Sequence, residues 1–384
     1  MKTPGQSYDI FLTEYYKKQG LMSNMALSRI TARVNPTIHG LTRATARIAP
    51  TIHGCASPIS SSGRATDLRF LEESRISRSP RVLFLGMQGR FSYAPLLALL
   101  EAGIQVCAVV IPAEQGFEVE LPAIQKQEQP PSSRSMLPVL NSSIHSSILD
   151  LARVRDIPVW KVRHLSNPET IKVLTVYQPD MICVACFSKR IPRDILDIPP
   201  LGCLNVHPSL LPANRGPEPL FWTFREGNQR SGVTIHLMDE AMDSGAVVAK
   251  DVIEIPDGIS YSELEEQSAE LGGKLLAQSV WDMYNGVAEL ATQDETKRSY
   301  HAFPSDEDFV VPVAEWNARH VYNFICGVVS WGTPIHLLVG NKTVHVKKAI
   351  SYSQKTIDQN DMAVYGQSDE GFWVKCKQGS VLVV

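Results

Sequence analysis

The residues best suited to chemistry sit in one short string, Leu204-Asn205-Val206-His207-Pro208-Ser209-Leu210-Leu211-Pro212, which runs on through Ala213 and Asn214 to Arg215-Gly216-Pro217. Side chains two apart on a strand share a face, so an amide at 205 and an imidazole at 207 emerge together just where Pro208 ends the strand. An amide offers hydrogen-bond donors, and an imidazole moves protons near neutral pH. Ligands of open α/β sheets bind at the carboxyl ends of strands, so the pair reads as the edge of an active site. The competing reading is an Asn and a His that are merely satisfied at a strand terminus.

A second string, Val233-Thr234-Ile235-His236-Leu237-Met238, leads through Asp239, Glu240, Ala241 and Met242 into Asp243-Ser244-Gly245. Gly245 permits a sharp turn, and Asp243 falls at the same end of the sheet as His207 if the two strands are parallel. Asp239, Glu240 and Asp243 are all candidate acids, and at least two of them read as solvated loop residues. His236 reads as a core or supporting histidine. Cys183 and Cys186 have the spacing of a zinc or redox pair, but no second pair lies near and both fall in an apolar strand, so they read as core. Gly86 and Gly89 lack the third glycine of a dinucleotide loop.

The elements that must position these groups follow from the hydrophobic pattern. Residues 81–86 and 105–111 read as buried strands joined by a helix over 92–102, which implies a parallel pair with a right-handed crossover. Residues 112–143, rich in Pro, Gln and Ser, read as a long surface loop. The alternation resumes with a helix near 146–155, a strand at 157–162, and a helix opened by Asn167, Pro168 and Glu169. Strands at 181–187, 202–207, 233–238 and 246–255 follow. A short linking helix, a helix near 217–226 and a long one opened by the capping box Ser260 to Glu263 complete a doubly wound, Rossmann-like α/β domain over 81–290. Beyond it, a helix near 313–327 and five short strands (334–339, 343–350, 362–366, 371–376, 380–384) suggest a small β-rich domain over 301–384, an OB-like barrel.

Composition sets the limits. Of 384 residues, 44% are apolar and 20% charged, a globular profile with no apolar run of membrane-spanning length. Seven scattered cysteines favour a reducing compartment over a disulfide scaffold. Residues 1–80 carry eleven Lys/Arg against five acids, +6, so a chain total of −3 leaves −9 on the rest. A body this acidic is not an obvious nucleic-acid binder. The basic leader, with residues 31–40 echoed at 45–54, reads as a disordered extension, with an organellar targeting segment as the alternative.

Together these strings resemble the folate-dependent formyltransferase family, whose motif places Asn-x-His-x-Ser-Leu-Leu-Pro before Arg-Gly-x-x-Pro, then Gly-Val-Thr-Ile-His and Asp-x-Gly. The resemblance covers residues 81–290; in layout, with a C-terminal barrel, it is closest to the methionyl-tRNA formyltransferases. It implies a cytoplasmic enzyme of one-carbon metabolism and translation initiation, with 10-formyltetrahydrofolate as formyl donor, an amine acceptor, and no metal, membrane or DNA partner. It makes Asn205, His207 and Asp243 the catalytic three. Asn205 or protonated His207 would hold the formyl oxygen, His207 would shuttle protons, and Asp243 would favour the protonated ring and orient it. The folate would lie between Ala185, Cys186, Phe187, Ile191 and Pro192 on one side and Asp239 and Glu240 on the other. Ser209, Arg215 and Gly216 would form a substrate loop, and the Gly86–Gly89 turn a rim near the amine.

The acceptor stays open. The layout favours the methionyl amine of initiator methionyl-tRNA. Against it, the segment after the second strand is acidic (Glu114, Glu118, Glu120), and residues 301–384 hold seven Lys/Arg against eight acids. An amino sugar nucleotide or another small amine is the alternative, and water in place of the amine would make a formyltetrahydrofolate hydrolase.

Overall fold

A computed structural model describes residues 78–113, 122–128, 147–355, 364–368 and 371–384. The extension expected over 1–80 lies, up to residue 77, outside the described residues, as do the acidic segment and most of the 112–143 loop. Among the described residues no helix is long and apolar enough to cross a membrane.

Strands β1 (Arg81–Gly86) and β2 (Gln105–Pro112) pair in parallel across the helix α1 (Arg90–Glu101), as the apolar runs require. The third strand, β3 (Ile124–Lys126), lies in the stretch expected to be loop and pairs antiparallel with β4 (Val159–Val162), which itself lies parallel to β2. Three residues with only Ile124 buried carry no readable period, which is why the sequence hid it. Helix α2 (Ile148–Val154) precedes β4; α3 (Pro168–Thr175) follows it and is capped by Asn167, whose side chain accepts from Glu169 N–H at 2.9 Å.

The chain then crosses to the other side of β1. There β5 (Met181–Ala185) and, after α4 (Arg193–Leu196), β6 (Cys203–His207) continue in parallel. After α5 (Pro219–Arg225) the direction reverses, and β7 (Arg230–Leu237) and β8 (Val247–Glu254) run antiparallel, giving the sheet order β3-β4-β2-β1-β5-β6-β7-β8. Because the chain leaves β1 first one way and then the other, a crevice opens at the carboxyl ends of the central strands. The long α6 (Tyr261–Tyr284) starts at the expected capping box of Ser260 and Glu263.

Alternation along the strands divides the interior in two. Val82 and Phe84 face a first layer that holds Leu96 and Leu99 of α1 and Leu264 and Leu276 of α6, and that continues to Val383. Leu83 and Leu85 face a second layer with Leu165, Leu174, Ile191 and Ile195, against which Phe187 and Met238 pack.

The C-terminal region contains β9 (Val310–Pro312), α7 (Ala318–Val328), β10 (Ile335–Val339), β11 (Lys342–Val346), β12 (Ala349–Ser353), β13 (Val364–Ser368), β14 (Gly371–Lys375) and β15 (Ser380–Val383). The strands fall in two sheets, β11-β10-β9 and β12-β15-β14-β13. The single strand expected over 343–350 is two, because the N–H groups of Lys347 and Lys348 turn to the Val384 carbonyl and break the run.

Candidate active site

The register of β6 on β7 decides what Asn205 meets. The strands are antiparallel, with Asn205 opposite His236 and His207 opposite Thr234. The parallel pairing that was to bring Asp243 to His207 is therefore absent. Residues 238–246 fold back instead: Leu237 N–H donates to Ala246 O at 2.8 Å, and a Cβ on Gly245 would lie 1.8 Å from the Leu237 carbonyl oxygen. Close contact is what demands glycine at 245. The return delivers Asp243, 12% exposed, with Oδ1 at 3.7 Å from His207 Nδ1 and 3.6 Å from His236 Nε2. Its Oδ2 accepts from Gly216 N–H at 2.9 Å. Gly216 itself has φ +118, and a Cβ there would lie 2.1 Å from His301 O, so only glycine presents that N–H.

Hydrogen bonds to carbonyls settle the ring tautomers. His207 Nε2–H donates to Asn214 O at 2.9 Å, which leaves Nδ1, the atom facing Asp243, free to take a proton. His236 Nδ1–H donates to Leu237 O at 2.9 Å, so its Nε2 accepts from Asn205 Nδ2 at 3.1 Å. The second Nδ2 hydrogen of Asn205 has no partner among the described residues, and Asn205 lines the cavity.

Burial pushes the His207 imidazole below its ordinary range; the Asp243 charge pulls the other way without overcoming it. Asp243 does favour the protonated ring, as expected, but burial outweighs it, so near neutral pH the ring is neutral. For Asp243, burial works upward but is outweighed by the His207 and His236 rings, which act in their protonated forms, and by the Gly216 N–H, which together hold the carboxyl well below the usual range.

These groups open on a cavity of about 1060 Å³ whose two ends belong to the two layers. The second-layer end has Leu165, Phe187, Ile191 and Met238, with Arg163, Lys189 and Arg190 beside them. The first-layer end has Leu220, Tyr261 and Trp331, with Glu218 and Glu265.

Of the residues expected around folate, Cys186, Phe187, Ile191, Asp239 and Glu240 line the cavity, while Ala185 and Pro192 do not. Ala185 is fully buried and its carbonyl accepts from Ser92 Oγ at 2.7 Å; Pro192 caps α4. The Asp239 carboxylate is already engaged by Ser244 Oγ at 2.7 Å and Ala241 N–H at 3.1 Å. Cys183 is buried and its thiol pushed far up by burial, so of the two cysteines only Cys186 reaches the cavity.

The substrate loop is only partly borne into the cavity. Gly216 lines it; Ser209 and Arg215 do not. Ser209 Oγ donates to Ala213 O at 2.7 Å, and the buried Arg215 donates to Gln293 Oε1 at 2.7 Å and to Glu295 Oε1 at 2.6 Å. Nothing in the residue pattern points to those partners. Gln293, unnoticed there, also donates from Nε2 to Asp243 O and to Gly245 O, each at 2.8 Å, and so braces the turn that carries Asp243. Glu218 and Tyr261 were missed as well, although Glu218 lies inside the Arg-Gly-x-x-Pro string.

Residues 82–280 match the family description "Formyl transferase". The methionyl-tRNA formyltransferase of Ruminiclostridium cellulolyticum is 26% identical over 309 residues, covering 79% of this chain and 90% of that protein. The methionyl-tRNA formyltransferase of Syntrophus aciditrophicus is 32% identical over 227 residues, covering 59% and 72%. Among solved structures, the N-formyltransferase from Helicobacter canadensis in complex with folinic acid and dTDP-3-aminofucose is similar with a TM-score of 0.54 at 15% identity, over 79% of this chain and 98% of that one, which shows a shared fold.

Proposed function

The chain belongs to the formyl transferase family, and on that premise we propose that it transfers the formyl group of 10-formyltetrahydrofolate to the α-amine of methionyl-tRNA. The observation that carries the chemistry is the meeting of Asn205, His207 and Asp243 at one cavity. When the amine attacks the formyl carbon, negative charge gathers on the formyl oxygen, and the unpartnered Nδ2 hydrogen of Asn205 is placed to hold it. His207, neutral with a bare Nδ1, takes the amine proton as the new C–N bond forms. The ring is then cationic beside an ionised Asp243, and its proton passes to the folate nitrogen as the old C–N bond breaks. No step uses a metal.

The second-layer end suits the donor. Phe187, Ile191 and Met238 offer apolar contact to a flat pterin, and Arg163, Lys189 and Arg190 offer charge to the carboxylates of its tail. The same reading takes 81–290 as the catalytic domain and 301–384 as an accessory domain whose two sheets close as an OB-like barrel. A cytoplasmic site of action fits these substrates, with an organelle as the alternative should residues 1–80 act in targeting.

The curated relatives support methionyl-tRNA as acceptor. An amino sugar nucleotide is the second reading, favoured by the near balance of charge over 301–384, which gives an RNA little to hold. Release of tetrahydrofolate from 10-formyltetrahydrofolate by the full chain decides among them. Turnover with charged methionyl-tRNA carries the first reading, turnover with the sugar amine alone replaces it, and release with no amine makes the enzyme a hydrolase.

A further inference from the structure

The mechanism leaves one buried carboxyl of the cavity unused. Glu218 stands between Pro217 and Pro219, which restrict the backbone on both sides, and it is 8% exposed. Its Oε2 accepts from the Tyr261 hydroxyl at 3.0 Å. Its Oε1 has no hydrogen-bond or ion-pair partner among the described residues, yet it is not sealed off, since Glu218 lines the cavity. Open to the cavity and unpaired within the protein, this oxygen is available to a partner that enters from outside.

Charge along the cavity says which partner. Arg163, Lys189 and Arg190 all lie at the second-layer end, whereas the first-layer end has Glu218 and Glu265. Arg90 is drawn to the neighbouring Glu266 at 2.8 Å and does not line the cavity. Glu218 is also two residues from Gly216, whose N–H grips the Asp243 carboxylate, so a group held by Glu218 is near the reacting centre.

We infer that Glu218 positions the acceptor: its Oε1 receives the incoming amine in the ammonium form, and the first-layer end thereby selects acceptors that enter as cations. This rests on the formyl-transfer reading of the same cavity and names what recognises its second substrate. Burial holds the Glu218 carboxyl up to about 8, despite the hydrogen bond from Tyr261 and with Glu265 adding to the rise. In the empty cavity the carboxyl is therefore mostly protonated near neutrality, and it gives up that proton to solvent as the ammonium arrives to pair with it.

The test titrates the full chain and its Glu218→Gln variant with methioninamide, following tryptophan emission, because Trp331 lines the cavity. N-acetylmethioninamide, which lacks the ammonium, is the control, and tetrahydrofolate binding reports on the integrity of the donor end. Glu218→Gln is expected to weaken methioninamide about tenfold, to leave the other two ligands within about twofold, and to raise the acceptor KM with kcat nearly unchanged. Tyr261→Phe, which keeps the carboxyl but frees Oε2, is expected to weaken methioninamide about threefold and decides the matter if Glu218→Gln loses tetrahydrofolate binding. Equal methioninamide affinity in wild type and variants, or no wild-type preference for the charged probe, overturns the inference. Charged-probe binding through Glu218 without turnover of methionyl-tRNA sinks the acceptor reading alone; turnover with an unchanged acceptor KM in Glu218→Gln sinks this one alone.

Discussion

The two ends of the cavity are built in different ways. At the second-layer end, the walls are strand ends and the turns that follow them: Leu165 just beyond β4, Phe187 and Ile191 just beyond β5, Met238 just beyond β7. At the first-layer end, Glu218, Tyr261 and Trp331 come from three separate segments, the last of them past the catalytic sheet. One end is apolar with basic flanks, the other aromatic and acidic. A site that accepts two unlike substrates can thus take its contacts for one from the sheet itself and for the other from pieces that packing brings together.

The groups between the ends test the comparison most severely. Replacement of His207 by Ala is expected to lower kcat by about three orders of magnitude, and Asn205→Ala by about two, with both substrate KM values little changed. A loss carried by KM for one substrate would move the residue out of the middle and into one end. The pH profile sharpens this. His207 must be neutral to act, and its pKa is depressed, so once the titration of the amine and of Glu218 near 8 is divided out, activity should fall only as pH drops through values below about 6.5 and stay flat up to neutrality. An acid limb above that value contradicts a buried, neutral ring.

The first-layer end makes a prediction about stability. Glu218 titrates near 8 in the folded chain, above an unfolded carboxyl, so the folded state binds the extra proton. Its contribution is complete below about pH 4.5 and is lost as pH rises through about 8, a change on the order of 5 kcal/mol. Urea unfolding between pH 5 and 8.5 should show that decline, and Glu218→Gln should flatten it; an unchanged slope would place the carboxyl in contact with water. At the second-layer end the effect is smallest, because the basic side chains there are partly solvated. Lys189→Ala is expected to raise the donor KM about threefold at low salt, less at high salt, and to leave the acceptor KM alone.

The same contrast explains what could be read in advance. Asn205 and His207 were legible because a period of two puts them on one face whatever the rest of the fold does. Asp243 was legible by residue type, but its route was not, since a sequence does not show strand direction. The second-layer end followed from turns adjacent to strands. The first-layer end did not, because nothing local ties Glu218 to Tyr261, or Arg215 to Gln293, and burial, which reverses the sign expected for His207, is a property of the packed chain. Strands of three residues, such as β3 and β9, fall below the length at which a period can show.

Gln293 and its neighbours carry one more consequence. Ser299 Oγ accepts from Asn214 N–H at 2.8 Å, and His301 N–H donates to Arg215 O at 3.0 Å, so the segment after α6 laces the active-site loops from behind. A gene fragment ending at codon 290, where the sequence changes character, would encode the whole eight-stranded sheet with Asn205, His207 and Asp243, yet it would unfasten the turn that aims Asp243. The piece that recombination could move intact between proteins is therefore longer than the sheet and ends beyond His301.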